Sequence, residues 1–271
     1  MKALEKNKMN KLESVSLFVG TGECNGRCEH CAGVPLRKYA PKQDGVIDSD
    51  LIVKTVRDCY GLGARNLSIS SSGEPTLSPM AVTKTLELIS GLEHEGIRFN
   101  RINLYSNGIR IGEEEDFSRQ YLKLWQSLGL TRVYVTVHSV DEKENARLYG
   151  VNSYPSIDLI VKRIHDAYLL MRANMVLSKK TIGTFEEFVF SVEHLMHIGV
   201  DGISAWPVRT LDDKIDRENS PDDMDMKKIE EWAKNYGSRV RVLGEKNKVL
   251  YEQGKKLTLF PDGKLSSSWC N

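Results

Sequence analysis

Cys24, Cys28 and Cys31 fall within eight positions of one another, in the segment "GECNGRCEHC". Thiolates are soft ligands, suited to zinc and to iron–sulfur clusters. A structural zinc site closes with four protein ligands, usually as two C-x2-C-like pairs. Here the spacing is C-x3-C-x2-C, and the nearest fourth candidate, His30, is adjacent to Cys31 and poorly placed to complete a tetrahedron. Three thiolates suit a [4Fe-4S] cluster with one iron left for a ligand from outside the protein. Gly22 and Gly26 let the backbone of the same loop wrap closely around such a group. Zinc, and a set of cysteines with no ligand role, stay open as alternatives.

A ligand loop needs elements to hold it. "SVSLFV" (14–19) reads as a strand that runs into the cysteine loop. After it, apolar residues alternate between period two and period 3.6. The strands expected are "RNLSISS", "INLYSNG", "RVYVTVHS", "MRANMVL" and "DGISAWPV". Helices are expected between them. One starts at Asp48 or Ser49 and buries Ile52, Val56 and Cys59; the next buries Val82, Leu86 and Ile89; a third carries a stripe of Phe117, Tyr121, Leu124 and Leu128 and stops at Gly129. "SIDLIVKRIHDAYLL" and "TFEEFVFSVEHLMHIG" supply two more. Strands joined by helices, without hairpins, imply a parallel sheet, either a full or partial barrel or a doubly wound sheet. In both, chemistry gathers at the C-terminal ends of the strands. The cysteine loop, "SSGEPT", "SNG" and the end of "TVHS" (Thr136, His138, Ser139) all follow strands. Beyond a polar loop at 212–222, a last helix and short strands "RVRVLG" and "KLTLFPDGKL" are expected, the latter turning at Pro261, Asp262 and Gly263.

The 271 residues and 40% hydrophobic content suit one large α/β domain. Thirty-eight basic residues oppose 37 acidic ones, so no global field draws nucleic acid, and that partner is not expected. Five cysteines are not a disulfide framework, and a loop of free thiols fits a reducing compartment. "MKALEKNKMNKLESVS" lacks the apolar run of a signal peptide, and no stretch approaches a membrane span. A cytoplasmic protein is expected.

Cys24, Cys28 and Cys31 match the C-x3-C-x2-C signature of the radical S-adenosylmethionine (radical SAM) enzymes. "SGEPTL" at 72–77 resembles the family's Gly-Gly-Glu-Pro segment, with Ser72 in place of the first glycine. "YSNG" at 105–108 is similar to its third-strand Thr-Asn-Gly, and "TVHS" at 136–139 to the Ser-Leu-His or Ser-Leu-Asp of its fourth strand. The resemblance is colinear from about 15 to 209. It implies a partial (β/α)6 TIM-like barrel with helices outside and a short C-terminal extension. The domain plan it suggests is an N-terminal extension over 1–14, the core over 15–210 and a C-terminal helix with short strands over 211–271.

The resemblance also implies roles. Cys24, Cys28 and Cys31 would hold a [4Fe-4S] cluster whose open iron is chelated by SAM. Gly73, Glu74 and Pro75 would hold the SAM amino group, Ser106, Asn107 and Thr136 would line its methionine and ribose side, and Asn174 would be the polar position on strand five. His30 stands where the family often has an aromatic, and can stack or hydrogen-bond at the adenine. A dry barrel interior, closed at the bottom by apolar side chains, would shelter the 5′-deoxyadenosyl radical. A one-electron donor such as flavodoxin or ferredoxin and a small-molecule or peptide substrate are the implied partners.

The rest of the chain narrows the branch. The Asp-x-Lys of glycyl-radical activases is replaced by "TVHS", an RNA-methylating member would need a basic excess, and a molybdopterin-type cyclase would need cysteines for a second cluster. Cys59 on a core stripe reads as a buried small hydrophobe. Cys270 reads as a terminal thiol or a substrate-relaying one. Lys179, Lys180 and Arg209 are candidates for gripping an anionic substrate, Trp206 for facing it, and His194 and His197 for a solvated helix face. The alternative readings are a glycyl-radical-activase-like protein modifier and a non-catalytic iron–sulfur or zinc protein, the latter having no need of Glu74-Pro75 or Asn107-Gly108.

Overall fold

The structure, a computed structural model, describes residues 11–31, 33, 34, 36, 45, 47–210, 214–244 and 246–268. Six strands, β1 (Ser14–Phe18), β2 (Asn66–Ser70), β3 (Arg101–Ser106), β4 (Arg132–Val137), β5 (Leu170–Leu177) and β6 (Gly202–Pro207), pair in parallel and in chain order. The helices between them are α1 (Ser49–Gly61), α2 (Pro79–Ser90), α3 (Ile109–Glu113), the composite α4 described below, α5 (Glu142–Tyr149), α6 (Ile157–His165) and α7 (Phe185–His197). Strand order never reverses. Right-handed crossovers then place every helix on the same face, and the sheet curls around its bare face instead of doubling back. That excludes the doubly wound alternative and leaves a partial barrel whose sheet does not close.

The C-terminal elements enter the same sheet at both edges. After α8 (Asp223–Ala233), β7 (Val240–Val242) adds beyond β6. After α9 (Lys246–Glu252), β8 (Lys256–Leu259) pairs in parallel with β1, and β9 (Leu265–Ser266) turns back antiparallel through the Pro261–Gly263 turn. The chain between β7 and β8 therefore runs from one end of the strand order to the other.

Alternation decides the two faces of each strand. Val15, Leu17, Leu67, Ile69, Leu104, Val133, Val135, Met171 and Ala173 pack with Ile52, Val56, Leu86 and Ile160 of the helices in a single core. The opposite, concave face carries Ser16, Ser68, Asn103, Tyr105, Tyr134, Arg172 and Ser204. Most apolar strand residues point outward to meet the helices, so the central rows of the barrel interior are polar where an apolar floor was expected, while Phe18, Val176 and Trp206 occupy concave-face positions nearer the C-terminal ends.

Helix caps follow the sequence signals. Asp48 accepts the Leu51 N–H at 3.1 Å to start α1, and Thr184 with Glu187 forms a capping box on α7. The stripe expected at Phe117, Tyr121, Leu124 and Leu128 is displaced. The helix runs Glu115–Phe117, widens into a π turn at Ser118–Leu122 and resumes as Lys123–Ser127, all counted as α4. The wider turn shifts the buried set to Phe117, Leu122 and Trp125. Trp125 donates its indole N–H to Thr83 Oγ1 at 2.8 Å, and Leu124 is exposed.

Candidate active site

The cysteine loop leaves β1 at the C-terminal edge of the sheet, with Cys24, Cys28 and Cys31 half-buried. The loop is fastened at three points, two through its backbone and one through a side chain. The Glu74 N–H donates to the Glu23 carbonyl at 2.7 Å, the Arg27 N–H donates to the Tyr149 carbonyl at 2.6 Å, and the Asn107 side-chain amide donates to Asn25 Oδ1 at 2.7 Å. The same amide reaches Cys24 Sγ at 3.9 Å. A fourth tie is the ion pair between Glu29 and Lys180, from the loop after β5. Glycine is required where these segments touch. A Cβ on Gly73 would lie 2.1 Å from the Glu23 carbonyl oxygen and 2.4 Å from that of Gly22.

Glu74 organises the ends of β2 and β3. Its Oε1 accepts the Ser106 hydroxyl at 2.8 Å and the Thr76 N–H at 3.0 Å, and its Oε2 accepts the Asn107 N–H at 2.6 Å. Burial pushes its carboxyl above the usual carboxylate range, against the pull of these donors. Ser106 and Asn107 are committed to this brace: Ser106 Oγ also accepts the Gly108 N–H, and Asn107 Oδ1 accepts the Ile109 N–H, both at 3.0 Å. The side chains of "GEP" and "SN" therefore hold the cysteine loop and the two strand ends in one unit.

Sequence reading missed α5. Asn145 on it is fully buried, and its Oδ1 accepts the N–H groups of His138 and Ser139 at 3.0 and 3.1 Å, shaping the end of β4. Tyr149 donates its hydroxyl to the Thr136 carbonyl at 2.8 Å and stacks on Tyr154 with ring centroids 5.1 Å apart. Tyr154 in turn donates to the Asn107 carbonyl at 2.8 Å. The signal was present: Asp141 caps the helix through the Glu144 N–H, and Gly150 ends it in the left-handed conformation at φ 62°.

Thr136 and Asn174 are register partners on β4 and β5 and share the concave face. Among the described residues, the buried polar atoms without a hydrogen-bond partner include His30 Nε2, His138 Nε2, Asn174 Oδ1 and Trp206 Nε1 around this mouth. Buried polar groups are ordinarily satisfied, so this cluster fits a site built for a polar ligand. His138 sits edge-on to Tyr149 with ring centroids 4.8 Å apart, and burial, aided by the nearby His30, pushes its pKa down to about 4. Its imidazole is neutral at physiological pH.

The remaining candidates are placed as follows. Cys59 is fully buried, and burial pushes its thiol up to about 12. Lys179 donates to the Glu218 carbonyl at 2.8 Å, Lys180 is paired with Glu29, and Arg209 donates to the Gly244 carbonyl at 2.8 Å. All three serve to tie loops together. His197 is exposed, and His194 stacks on Phe190. Cys270 lies outside the described residues.

Among the described residues no three His, Cys, Asp or Glu side chains converge on a single ion. A [4Fe-4S] cluster presents a separate iron to each thiolate, so its ligands need not meet at one point. Three thiols on one glycine-bearing loop, beside a mouth of unpartnered buried polar atoms, fit a cluster with an adjacent polar ligand. No helix among the described residues is long and apolar enough to cross a membrane.

The family model "Radical SAM superfamily" matches residues 18–192. A curated relative, the GTP 3′,8-cyclase of Haemophilus ducreyi, is 29% identical over 177 residues, which are 64% of this chain and 48% of that protein. The chain spans about half the length of the curated relatives it matches. Among solved structures, Streptococcus suis SuiB bound to S-adenosylmethionine superposes with a TM-score of 0.64 at 13% identity, covering 99% of this chain and 63% of that one. The anSMEcpe protein with bound AdoMet superposes with a TM-score of 0.60 at 14% identity, covering 93% and 73%. These likenesses carry the fold.

Proposed function

The chain belongs to the radical SAM superfamily, and from that premise we propose that it is an enzyme that cleaves SAM reductively to act on a small-molecule or peptide substrate. The cofactors of the family are a [4Fe-4S] cluster and SAM. A [4Fe-4S] cluster held by Cys24, Cys28 and Cys31 would supply the electron for reductive cleavage of SAM, the chemistry that ends in hydrogen abstraction from the substrate. The electron comes from a donor such as flavodoxin or ferredoxin, and the reading places the protein in the cytoplasm.

The chain's own residues do the positioning. Cys24, Cys28 and Cys31 would ligate three irons. Gly73 and Pro75 would present the backbone that receives the SAM amino group, with Glu74, Ser106 and Asn107 fixing that backbone against the cysteine loop. Thr136 and Asn174 would face the ribose, and His30 the adenine. His138, neutral and unpartnered at Nε2, can offer its ring nitrogen to the bound ligands without adding charge.

The observation that carries this reading is the fastening of the three-cysteine loop to the ends of β2 and β3 through Glu74 and Asn107. A simple metal carrier has no use for that coupling. The test is anaerobic reconstitution with iron and sulfide, addition of dithionite and SAM, and chromatography for 5′-deoxyadenosine, with Cys28→Ala as control. Nucleoside that depends on Cys28 supports the enzyme. A protein that binds zinc and never iron, or a cluster that forms without cleaving SAM under strong reductant, rejects it.

A further inference from the structure

The concave face of the sheet is unbalanced in charge. Register partners share a face, so the face can be read in rows. One row is Tyr105, Tyr134, Arg172 and Gly202. The next row toward the C-terminal ends is Thr136, Asn174, Ser204 and Arg241. Nearer the N-terminal ends the same face carries Arg132 beside Asn103, Arg101 beside Asn66, and Lys256 beside Ser14. Every charged residue at a concave-face strand position is therefore a cation, and no Asp or Glu occupies one. With 38 basic and 37 acidic residues in the chain, composition does not explain this separation.

Arg172 lies at its centre, only 5% exposed. Its Nε donates to Ser204 Oγ at 2.7 Å, Nη2 donates to the Ile203 and Ser238 carbonyls at 2.5 and 3.2 Å, and Nη1 donates to the Ser238 carbonyl at 3.3 Å. Each acceptor is neutral. A buried cation satisfied only by dipoles leaves a net positive field in the space it faces. Arg132 and Arg241 are near enough to oppose its charge, and burial with these neighbours pushes its pKa down to about 10. It still carries its proton at physiological pH. Arg241 is exposed and forms no ion pair with a described residue.

We propose that this face seats an anionic group of the substrate, a phosphate or a carboxylate, between Arg172 and Arg241. The proposal names a substrate class for the site described above and rests on the radical SAM reading. Arg241 stands two strands from Asn174 in the same row, roughly 10 Å at the usual strand spacing. An anion held there leaves the neighbouring carbons of a small substrate in front of Thr136 and Asn174. Ser204 and Tyr134 add neutral hydrogen-bonding groups around it, and Trp206, with its indole N–H unpartnered, adds a wall one step above.

The experiment measures anion binding apart from SAM cleavage. The reconstituted full chain is titrated calorimetrically with inorganic phosphate, with succinate, and with glycerol as the neutral probe. Phosphate or succinate is expected to bind while glycerol does not, and the tighter of the two identifies the anion. Arg241→Gln is expected to weaken binding at least tenfold, Arg241→Lys to retain most of it, and Arg98→Gln, on an arginine beside Glu93, to leave it unchanged. Binding of neither anion, or binding that survives Arg241→Gln, overturns the proposal. The nucleoside assay on the same sample separates the two readings. Cleavage of SAM without anion binding sinks this inference alone. Anion binding lost in Arg241→Gln, in a protein that never cleaves SAM, upholds the site and sinks the enzymatic reading.

Discussion

The Glu74 carboxylate accepts the main-chain N–H of Asn107 at 2.6 Å, joining the loop after β2 to the residue after β3 inside a fully buried pocket. This contact makes the acidic residue of "GEP" a brace. Glu74→Gln turns one acceptor into an NH2 group facing the Ser106 hydroxyl and Thr76 N–H or the Asn107 N–H. Leaving a buried donor unsatisfied costs about 1–3 kcal/mol. The variant is expected to lose that much stability in urea titrations and to hold less iron after reconstitution. Unchanged stability and iron content would reject the brace.

Gly73→Ala tests the closeness of the cysteine loop to the end of β2. The added methyl meets two backbone oxygens at 2.1 and 2.4 Å, neither of which can swing away as a side chain would. Loss of cluster, read as iron per protein and the visible absorbance, is expected. Gly91→Ala is the contrast. No atom lies within 4 Å of its Cβ and its φ is −59°, so a change within about 0.5 kcal/mol is expected.

Stability should fall with acid in a way that His138 governs. Its folded pKa is depressed to about 4 by burial, against about 6.5 in an unfolded chain. The folded state therefore binds fewer protons in this window. The contribution is present above pH 6.5 and is lost as pH falls toward about 4, amounting to about 3 kcal/mol. His138→Gln should flatten this slope between pH 6.5 and 4.5, and an identical slope in both proteins would reject the assignment.

Tyr168 holds φ at 59°, in the left-handed region, while its side chain is 85% exposed. A side chain with a Cβ pays about 1 kcal/mol there that glycine does not. Tyr168→Gly is expected to raise stability by up to about 1 kcal/mol, read from the urea midpoint. A loss instead would mean that the ring makes a contact worth more than the strain.

Thiol labelling should separate the cysteines. In cluster-free protein, Cys24, Cys28 and Cys31 are half-buried and should react with iodoacetamide, whereas Cys59 is fully buried with its thiol pushed up to about 12. Peptide mapping of the native protein is expected to find Cys59 unlabelled. Labelling of Cys59 at the rate of the loop thiols would contradict its burial.

Much of this was legible in the chain itself. The periodicities located β1 to β6, and the cap residues Asp48 and Thr184 located helix starts, because these signals are local. The cysteine spacing, "SGEPTL" and "YSNG" pointed to the site for the same reason. Helix α5 escaped because its eight residues are polar on balance, and only the caps Asp141 and Gly150 announce it. The π turn of α4 escaped because nothing local marks a one-residue widening that is settled by where Trp125 can reach Thr83.

By itself, then, the sequence determined which residues form strands, which loop carries the thiols and which strand ends stand beside it. Tertiary structure decided the rest. That the strand order runs without reversal, that β7 and β8 take opposite edges, and that the concave face is polar and cationic all depend on pairings between segments far apart in the chain. Arg172 shows why. Its neighbours Ser204 and Ser238 are 32 and 66 residues away, and a one-residue slip in the register of β5 would turn its side chain to the helices.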